Sequence, residues 1–590
     1  MEVYFKRSQD FGNELAIINK KYNRISLLRL MTLFLVLVTS YYYIQTQSWI
    51  YIVLTLLLLT IFIVLMRFHS KLVVQKELKE ALLAINFEEA SYLEKSEMSF
   101  KNGIEFNDVA HPYAYDLDIY GEHSLFQNLN RTNTYIGKIT LANQLLNQLA
   151  EDEILRNQQA VKELSQKLDW RQDFMALAKI SNDRKALYET LINWSSFTSA
   201  TVSKTANALS YITPILLAST LLSYWITSKP LFLSVFSFLF ALNLAILGIF
   251  YKRITIEIAN ANMVDKIINQ YSLLIAQIET ESFEAKKLQD LQSKLKYNNE
   301  TASFHLKHLS VLFSRMDSIG NLITTIGFNG TFLFHVHNLR ALMQWKKNHA
   351  DHLKQWLEVI GTFEMLNSLA NFSYNNPQFA FPILNANYEI SFSNLSHPFL
   401  NKNIRIGNEV SFHPQAFMIL TGSNMSGKST FLRSLGVNMV LAGIGAPVCA
   451  NKANVHPLSI LVSMRLSDSL SDSESYFYAE IKRLKFIMDQ LEAKPAFVLL
   501  DEILRGTNSD DKRIGTIEVV KKMIARKAIG AIATHDLEVC LTTNDYPNQL
   551  TNKCFEVEII DSDLHFDYKL RNGICKNKSA TFLMKKMEII

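Results

Sequence analysis

At 590 residues the chain is long enough for several domains, each with its own core. Its hydrophobic fraction of 48% lies in the globular range, and a formal net charge of +5 is too small over this length to point to nucleic acid, or away from it, by itself. The four cysteines, Cys449, Cys540, Cys554 and Cys575, show no metal-ligand spacing and read as thiols of a reduced cytosolic compartment.

The apolar residues are unevenly spread. Residues 27–44 are apolar or aromatic apart from Arg29 and a few small or polar positions, and residues 49–66 are almost wholly apolar. Residues 209–227 and 231–251 form a second pair, joined through Ser228-Lys-Pro230. Each run is about long enough to cross a bilayer as a helix, which predicts two hairpins and four spans. Lys6, Arg7, Lys20, Lys21 and Arg24 precede the first hairpin, Arg67, Lys71 and Lys76 follow it, and its linker Gln45-Thr-Gln-Ser48 is uncharged. By the positive-inside rule both its ends are cytoplasmic. Lys204, Lys252 and Arg253 flank the second hairpin in the same sense, whereas Lys229 in its turn runs against it. Trp49, Trp225 and Tyr41-Tyr-Tyr43 fall near span ends, where amphipathic rings settle. The alternative is a buried helix pair in a soluble core; two successive spans without a small-residue cleavage pattern argue against a signal peptide. The expectation is a multi-pass cell-membrane protein.

Residues 71–94 continue the second run as a helix of mixed charge. Leu141, Leu145, Leu146 and Leu149, then residues 154–164, recur at helical spacing. Helical periodicity returns over 254–295 and 302–369, with Ile267, Ile268, Tyr271, Leu274, Ile275 and Ile278 on one face, a pattern of core or lever helices. Asn375-Asn-Pro377 and Phe381-Pro382 mark a change to short apolar runs and turns. The reading is a multidomain α and α/β protein. It has an N-terminal membrane hairpin (1–70), a helical core or lever region (71–374) interrupted by the second hairpin, and a C-terminal ABC-type P-loop ATPase domain (375–590).

Gly422-Ser-Asn-Met-Ser-Gly-Lys-Ser429 fits G-x-x-x-x-G-K-[ST], between the apolar run Phe417–Leu420 and a helical pattern from Phe431. The residues expected to bind the nucleotide are Gly422, Ser423, Asn424, Met425, Ser426, Gly427, Lys428, Ser429 and Thr430. Their backbone N–H groups would cradle phosphates, Lys428 would reach the β- and γ-phosphates, and Ser429 would ligate Mg²⁺. The apolar run Phe497–Leu500 ends in Asp501 and Glu502. Asp501 is placed for the Mg²⁺ shell and Glu502 for polarising an attacking water. Another run, Ile529–Ala533, leads to Thr534 and His535, and His535 is expected to sense the γ-phosphate or orient the water. The expected ligand is ATP with Mg²⁺.

Together Thr421–Thr430, Asp501-Glu-Ile-Leu-Arg-Gly-Thr-Asn-Ser509 and Ala533-Thr-His535 resemble the ATPase domain of the MutS family of DNA mismatch-repair proteins. His397-Pro398 and Asn408 sit where that family carries a short motif, and Ser124-Leu-Phe-Gln-Asn-Leu-Asn-Arg-Thr132 is similar to the start of its core domain. The resemblance implies a dimer with composite sites, in which Ser475 of one subunit reaches the nucleotide of the other; the usual glycine two positions earlier is Ser473 here. It also implies DNA as a partner. Where mismatch readers carry a wedge domain, this chain has a hairpin; Phe87-Glu-Glu89 fits the wedge pattern but sits in an acidic helix and is taken as chance. The second hairpin occupies a position comparable to the family's DNA clamp. Rival readings are an ATP-driven transporter and an ATP-switched structural tether.

Overall fold

The computed structural model describes residues 1–590 except 95–96, 198–203, 258–260, 298, 466–475, 561–562, 576–583, 585–587 and 590. The chain opens with two very long antiparallel helices, α1 (Glu2–Thr46) and α2 (Trp49–Glu94), turned through Gln47 in the left-handed conformation. Both are continuous well past the apolar runs, because the polar segments 2–26 and 67–94 keep helical residues and meet no Pro. Within the apolar half, Thr39 and Thr55 bond hydroxyl to hydroxyl at 2.9 Å, and Tyr42 stacks on Tyr51. No residue in the most apolar 18-residue window of α2 is buried, and Leu30 of α1 is 68% exposed.

The helical region follows as α3 (Tyr135–Leu146), α4 (Glu151–Gln166), α5 (Leu168–Ile180) and α6 (Lys185–Ser196). A second hairpin is made by α7 (Lys204–Thr227) and α8 (Pro230–Glu257), and Ser228 in its turn has φ 53°. Next come α9 (Ala261–Thr280), α10 (Ala302–Asp317) and the 42-residue α11 (Phe334–Asn375). The face Ile267, Ile268, Tyr271, Leu274, Ile275 and Ile278 is buried, as its period demands. The periodicity over 302–369 is interrupted: residues 318–333 form short 3₁₀, π and α turns, where Gly320, Gly327 and Gly330 weaken a regular helix. Among the described residues four helices, α1, α2, α7 and α8, are long and apolar enough to cross a membrane.

The first hairpin is seated on the core at its polar end. Tyr4 donates to Asn375 at 2.9 Å, Asn86 and Gln172 exchange two hydrogen bonds, and Arg131 grips Glu89. In the Phe87-Glu-Glu89 triplet, Phe87 is exposed, Glu88 pairs with Lys179 and Glu89 with Arg131, which makes the two acids tethers of α2 to the core.

The C-terminal part is α/β. A small sheet uses β1 (Ile383–Leu384), β2 (Ile390–Leu395), β3 (Asn408–Ser411) and β5 (Lys452–Val455), in the order β1-β5-β2-β3. The larger sheet uses β4 (Phe417–Gly422), β6 (Ser459–Ser463), β7 (Ala496–Asp501), β8 (Ile529–Ala533), β9 (Leu550–Phe555) and β10 (Leu570–Asn572), in the order β10-β9-β4-β8-β7-β6. All its pairings are parallel except β9 with β10. Helices cover both faces, which is why its strands read as unbroken apolar runs. Met418, Leu420, Phe497 and Leu499 face α12 (Lys428–Gly443) and the helical core, while Phe417, Ile419, Val498 and Leu500 face α13 (Tyr476–Ala493) and α14 (Ser509–Ala525).

Candidate nucleotide site

Strand order assembles the site. β8 lies between β4 and β7. The three motif-bearing strand ends are therefore neighbours, and their carboxyl ends open on one crevice, the usual ligand position of an open parallel sheet. β4 delivers residues 422–430, β7 delivers Asp501 and Glu502, and β8 delivers Thr534 and His535.

After β4 the chain turns through Met425 (φ 68°) and Gly427 (φ 96°) into α12. Gly427 is required twice: its φ is left-handed, and a Cβ there would meet the Tyr568 ring at 3.0 Å. A Cβ on Gly422 would meet Ser426 Oγ at 2.6 Å, so the loop has no room for side chains at its turning points. The N-terminus of α12 presents unpaired N–H groups to a cavity of about 460 Å³. Asn424, Met425, Lys428, Ser429 and Thr430 line it on the loop side, and His397, Ile406, Asn408, Phe555 and Tyr568 border it opposite. The structure thus brings Asn424 to Thr430 of the expected loop residues to one cavity, with Ser429 and Thr430 on the first turn of α12, whereas Gly422 and Ser423 do not line it. Asn408 fixes one wall, donating to the Tyr568 carbonyl at 3.1 Å and accepting from Leu570 N at 2.7 Å. The hydroxyls of Ser423 and Ser426 are buried and find no hydrogen-bond partner among the described residues.

Lys428 is folded back onto its own loop. Its ammonium donates to the carbonyls of Gly422 (2.9 Å) and Ser423 (3.0 Å) and stands 3.3 Å from His535 Nε2. Burial pushes the Lys428 ammonium down, opposed by the charges of Glu502 and Asp501. His535 Nε2 lies 2.6 Å from Glu502 Oε1. This hydrogen bond, against partial burial, holds the Glu502 carboxyl at about 2. An ionised carboxylate only accepts, so the proton of this contact belongs to Nε2. Ser429 hydrogen-bonds Asp501, whose carboxyl is pushed up by burial. Thus the hydroxyl and carboxylate expected at a Mg²⁺ ion are in contact, and the donor set fits a hard cation.

The turn after β7 is strained, with Glu502 at φ 50° and Leu504 at φ 61°. It is pinned from outside the sheet. Glu480 on α13 accepts from Leu504 N (2.8 Å) and Arg505 N (2.9 Å), and Arg505 donates to the carbonyls of Glu502 (2.9 Å) and Asp501 (3.2 Å). Sequence reasoning did not single out Glu480, Arg505 or Tyr568. Arg505 lay inside a quoted motif, but nothing local marks Glu480. Ser475 lies outside the described residues. The chain entering that stretch is tied down by Asp118, whose carboxylate meets Arg465 at 2.5 Å and Arg433 of α12 at 3.5 Å.

Comparison with known proteins agrees with this picture. Residues 418–588 match the family model described as MutS domain V. The chain is 26% identical over 329 residues to the DNA mismatch repair protein MutS of Thermotoga neapolitana, covering 54% of this chain and 36% of that protein. It is 31% identical over 170 residues to human MutS protein homolog 4, covering 28% and 18%, and 29% identical over 243 residues to DNA mismatch repair protein MSH4 of Arabidopsis thaliana, covering 40% and 30%. The matches thus span about a third or less of these relatives. Residues 418–588, with the motifs gathered at their strand ends, are thus similar to domain V of the MutS family.

Proposed function

We propose that this chain is a membrane-anchored, Mg²⁺-dependent ATPase of the MutS type, with its ATPase domain (375–590) in the cytoplasm. The carrying observation is the convergence of Lys428, His535 and Glu502 from three neighbouring strand ends. In this reading the loop N–H groups and the α12 terminus bind the ATP phosphates, and Lys428 exchanges the Gly422 and Ser423 carbonyls for phosphate oxygens. Ser429 and Asp501 would hold Mg²⁺, which when bound offsets charge on the phosphates. Glu502, ionised, orients and deprotonates the attacking water once it leaves His535, and His535 then faces the γ-phosphate. Ser475 closes the partner subunit's site in a homodimer.

The anchoring reading is supported by hairpins whose apolar side chains are for the most part exposed and by the basic residues at their ends. A mismatch-repair-related role with DNA as partner is supported by the similarity to DNA mismatch repair proteins. The test is the ATPase rate of the full-length protein in detergent with and without homoduplex, mismatched and branched DNA at stated salt. Stimulation by one DNA form supports the repair reading. Basal hydrolysis with no response overturns the DNA part and favours an ATP-switched tether, a reading that α11 supports because it runs unbroken from beside the second hairpin to the α/β domain.

A further inference from the structure

From Ser318 to Leu339 no Asp, Glu, Lys or Arg occurs. This stretch begins as the broken segment between α10 and α11: a 3₁₀ turn at Ser318–Gly320, a π turn at Thr324–Phe328, one helical turn at Asn329–Phe332, and Leu333 at φ 51°. It is seated on the apolar middle of α8. Asn243, fully buried, donates to the Gly330 carbonyl at 2.9 Å, and a Cβ on Gly330 would meet the Phe240 ring at 2.3 Å.

Depth follows from helix geometry. α8 and α11 run side by side, and Arg253 reaches Met343 Sδ at 3.1 Å near the basic end of α8. Asn243 lies ten residues further along α8, about 15 Å at 1.5 Å per residue. That is half of a hydrocarbon core about 30 Å thick. α10 and α11 approach as paired arms, joined where Trp345 donates to the His305 carbonyl at 2.9 Å, so the segment enters and leaves on one side.

Its inward polar groups are satisfied within the protein. His335 N donates to Asn329 Oδ1 at 2.9 Å, and Thr325 Oγ1 donates to the Ile319 carbonyl at 2.6 Å. Its large outward side chains are apolar and uncovered: Leu322 is 73% and Ile323 84% exposed, and Phe328 and Phe332 are exposed as well, while the exposed Asn321 turns its Oδ1 onto Ile323 N and Thr324 N. Phe238 and Ile249 of α8 are exposed on either side of the Asn243 contact.

Resting on the reading that α7 and α8 cross a membrane, we propose that residues 318–332 form a re-entrant membrane element. It dips to about mid-bilayer beside α8, takes lipid acyl chains as its ligand, and returns to the basic face. Irregular backbone is tolerated at that depth when protein satisfies its polar groups, and the run is too broken to be a span. The element continues directly into α11, so lipid contact and the α/β domain share one rigid helix.

The test places an environment-sensitive NBD probe on Ile323→Cys and, separately, on Phe328→Cys in the full-length protein. The protein is reconstituted in phosphatidylcholine/phosphatidylglycerol vesicles with or without doxyl-labelled phosphatidylcholine. The four native cysteines are buried, which confines labelling of the folded protein to the introduced thiol. Leu222→Cys on α7 is the span control and Ile404→Cys the aqueous control. The proposal expects loss of fluorescence to doxyl lipid at 323, 328 and 222, with none at 404. Quenching at 222 with none at 323 and 328 overturns it while leaving the spans intact, including the case in which a second copy of the chain shields the probes. No quenching at 222 overturns the spanning reading and this proposal with it.

Discussion

Glu89 and Arg131 form a buried two-point ion pair, Nε to Oε2 at 2.6 Å and Nη2 to Oε1 at 3.0 Å, between the polar end of the first hairpin and the core. Asn375, the last residue of α11, donates to the same Glu89 carboxylate at 2.6 Å. One carboxylate therefore joins α2, the core and the end of α11, where the chain passes into the α/β domain.

Glu89→Ala strands a buried guanidinium, and removing one partner of such a pair costs about 3–5 kcal/mol. The expected outcome is a lower denaturation midpoint for the full-length protein in detergent. The double variant Glu89→Leu with Arg131→Leu recovers much of that loss, since no unpaired charge remains. A single variant as stable as the parent would show that water reaches the pair.

On the proposed function, Lys428→Ala is expected to abolish ATP binding, measured by nucleotide retention on the purified protein. Glu502→Gln keeps binding and lowers turnover by about 10²–10⁴-fold, the usual contribution of a positioned general base. Retained turnover in either variant removes the site assignment.

The Glu502–His535 contact makes a pH prediction. Glu502 has its folded value depressed from 4.5 to about 2 by His535, so its contribution to stability is complete above 4.5 and is lost as pH falls towards 2. His535→Ala removes the principal cause. The acid limb of the kcat/KM profile then moves to higher pH, towards the ordinary carboxylate range. An unmoved limb would mean that the limb belongs to another group.

A cysteine at Ser228, in the exposed turn of the second hairpin, is expected to react with a membrane-impermeant maleimide added outside intact cells. A cysteine at Ile404 in the α/β domain is expected to react only after permeabilisation. Protection at position 228 refutes the spanning reading.

Local pattern carried much of this protein. The phosphate loop, the strand ending in Asp501-Glu502 and the strand leading to His535 are contiguous runs whose residue types are dictated by one turn or one strand end, and the four apolar helices are runs of one composition. What only the tertiary structure decided is set by packing between segments far apart in sequence. Strand order put His535 between Lys428 and Glu502, and Glu480 came to hold the turn after β7 from a separate helix. Glu89, which the sequence offered as one member of a chance triplet, met Arg131. The uncharged run after Asp317 reads as more helix by periodicity. Its three glycines leave the backbone free, and the neighbouring Phe240 and Asn243 of α8 decide that it bends.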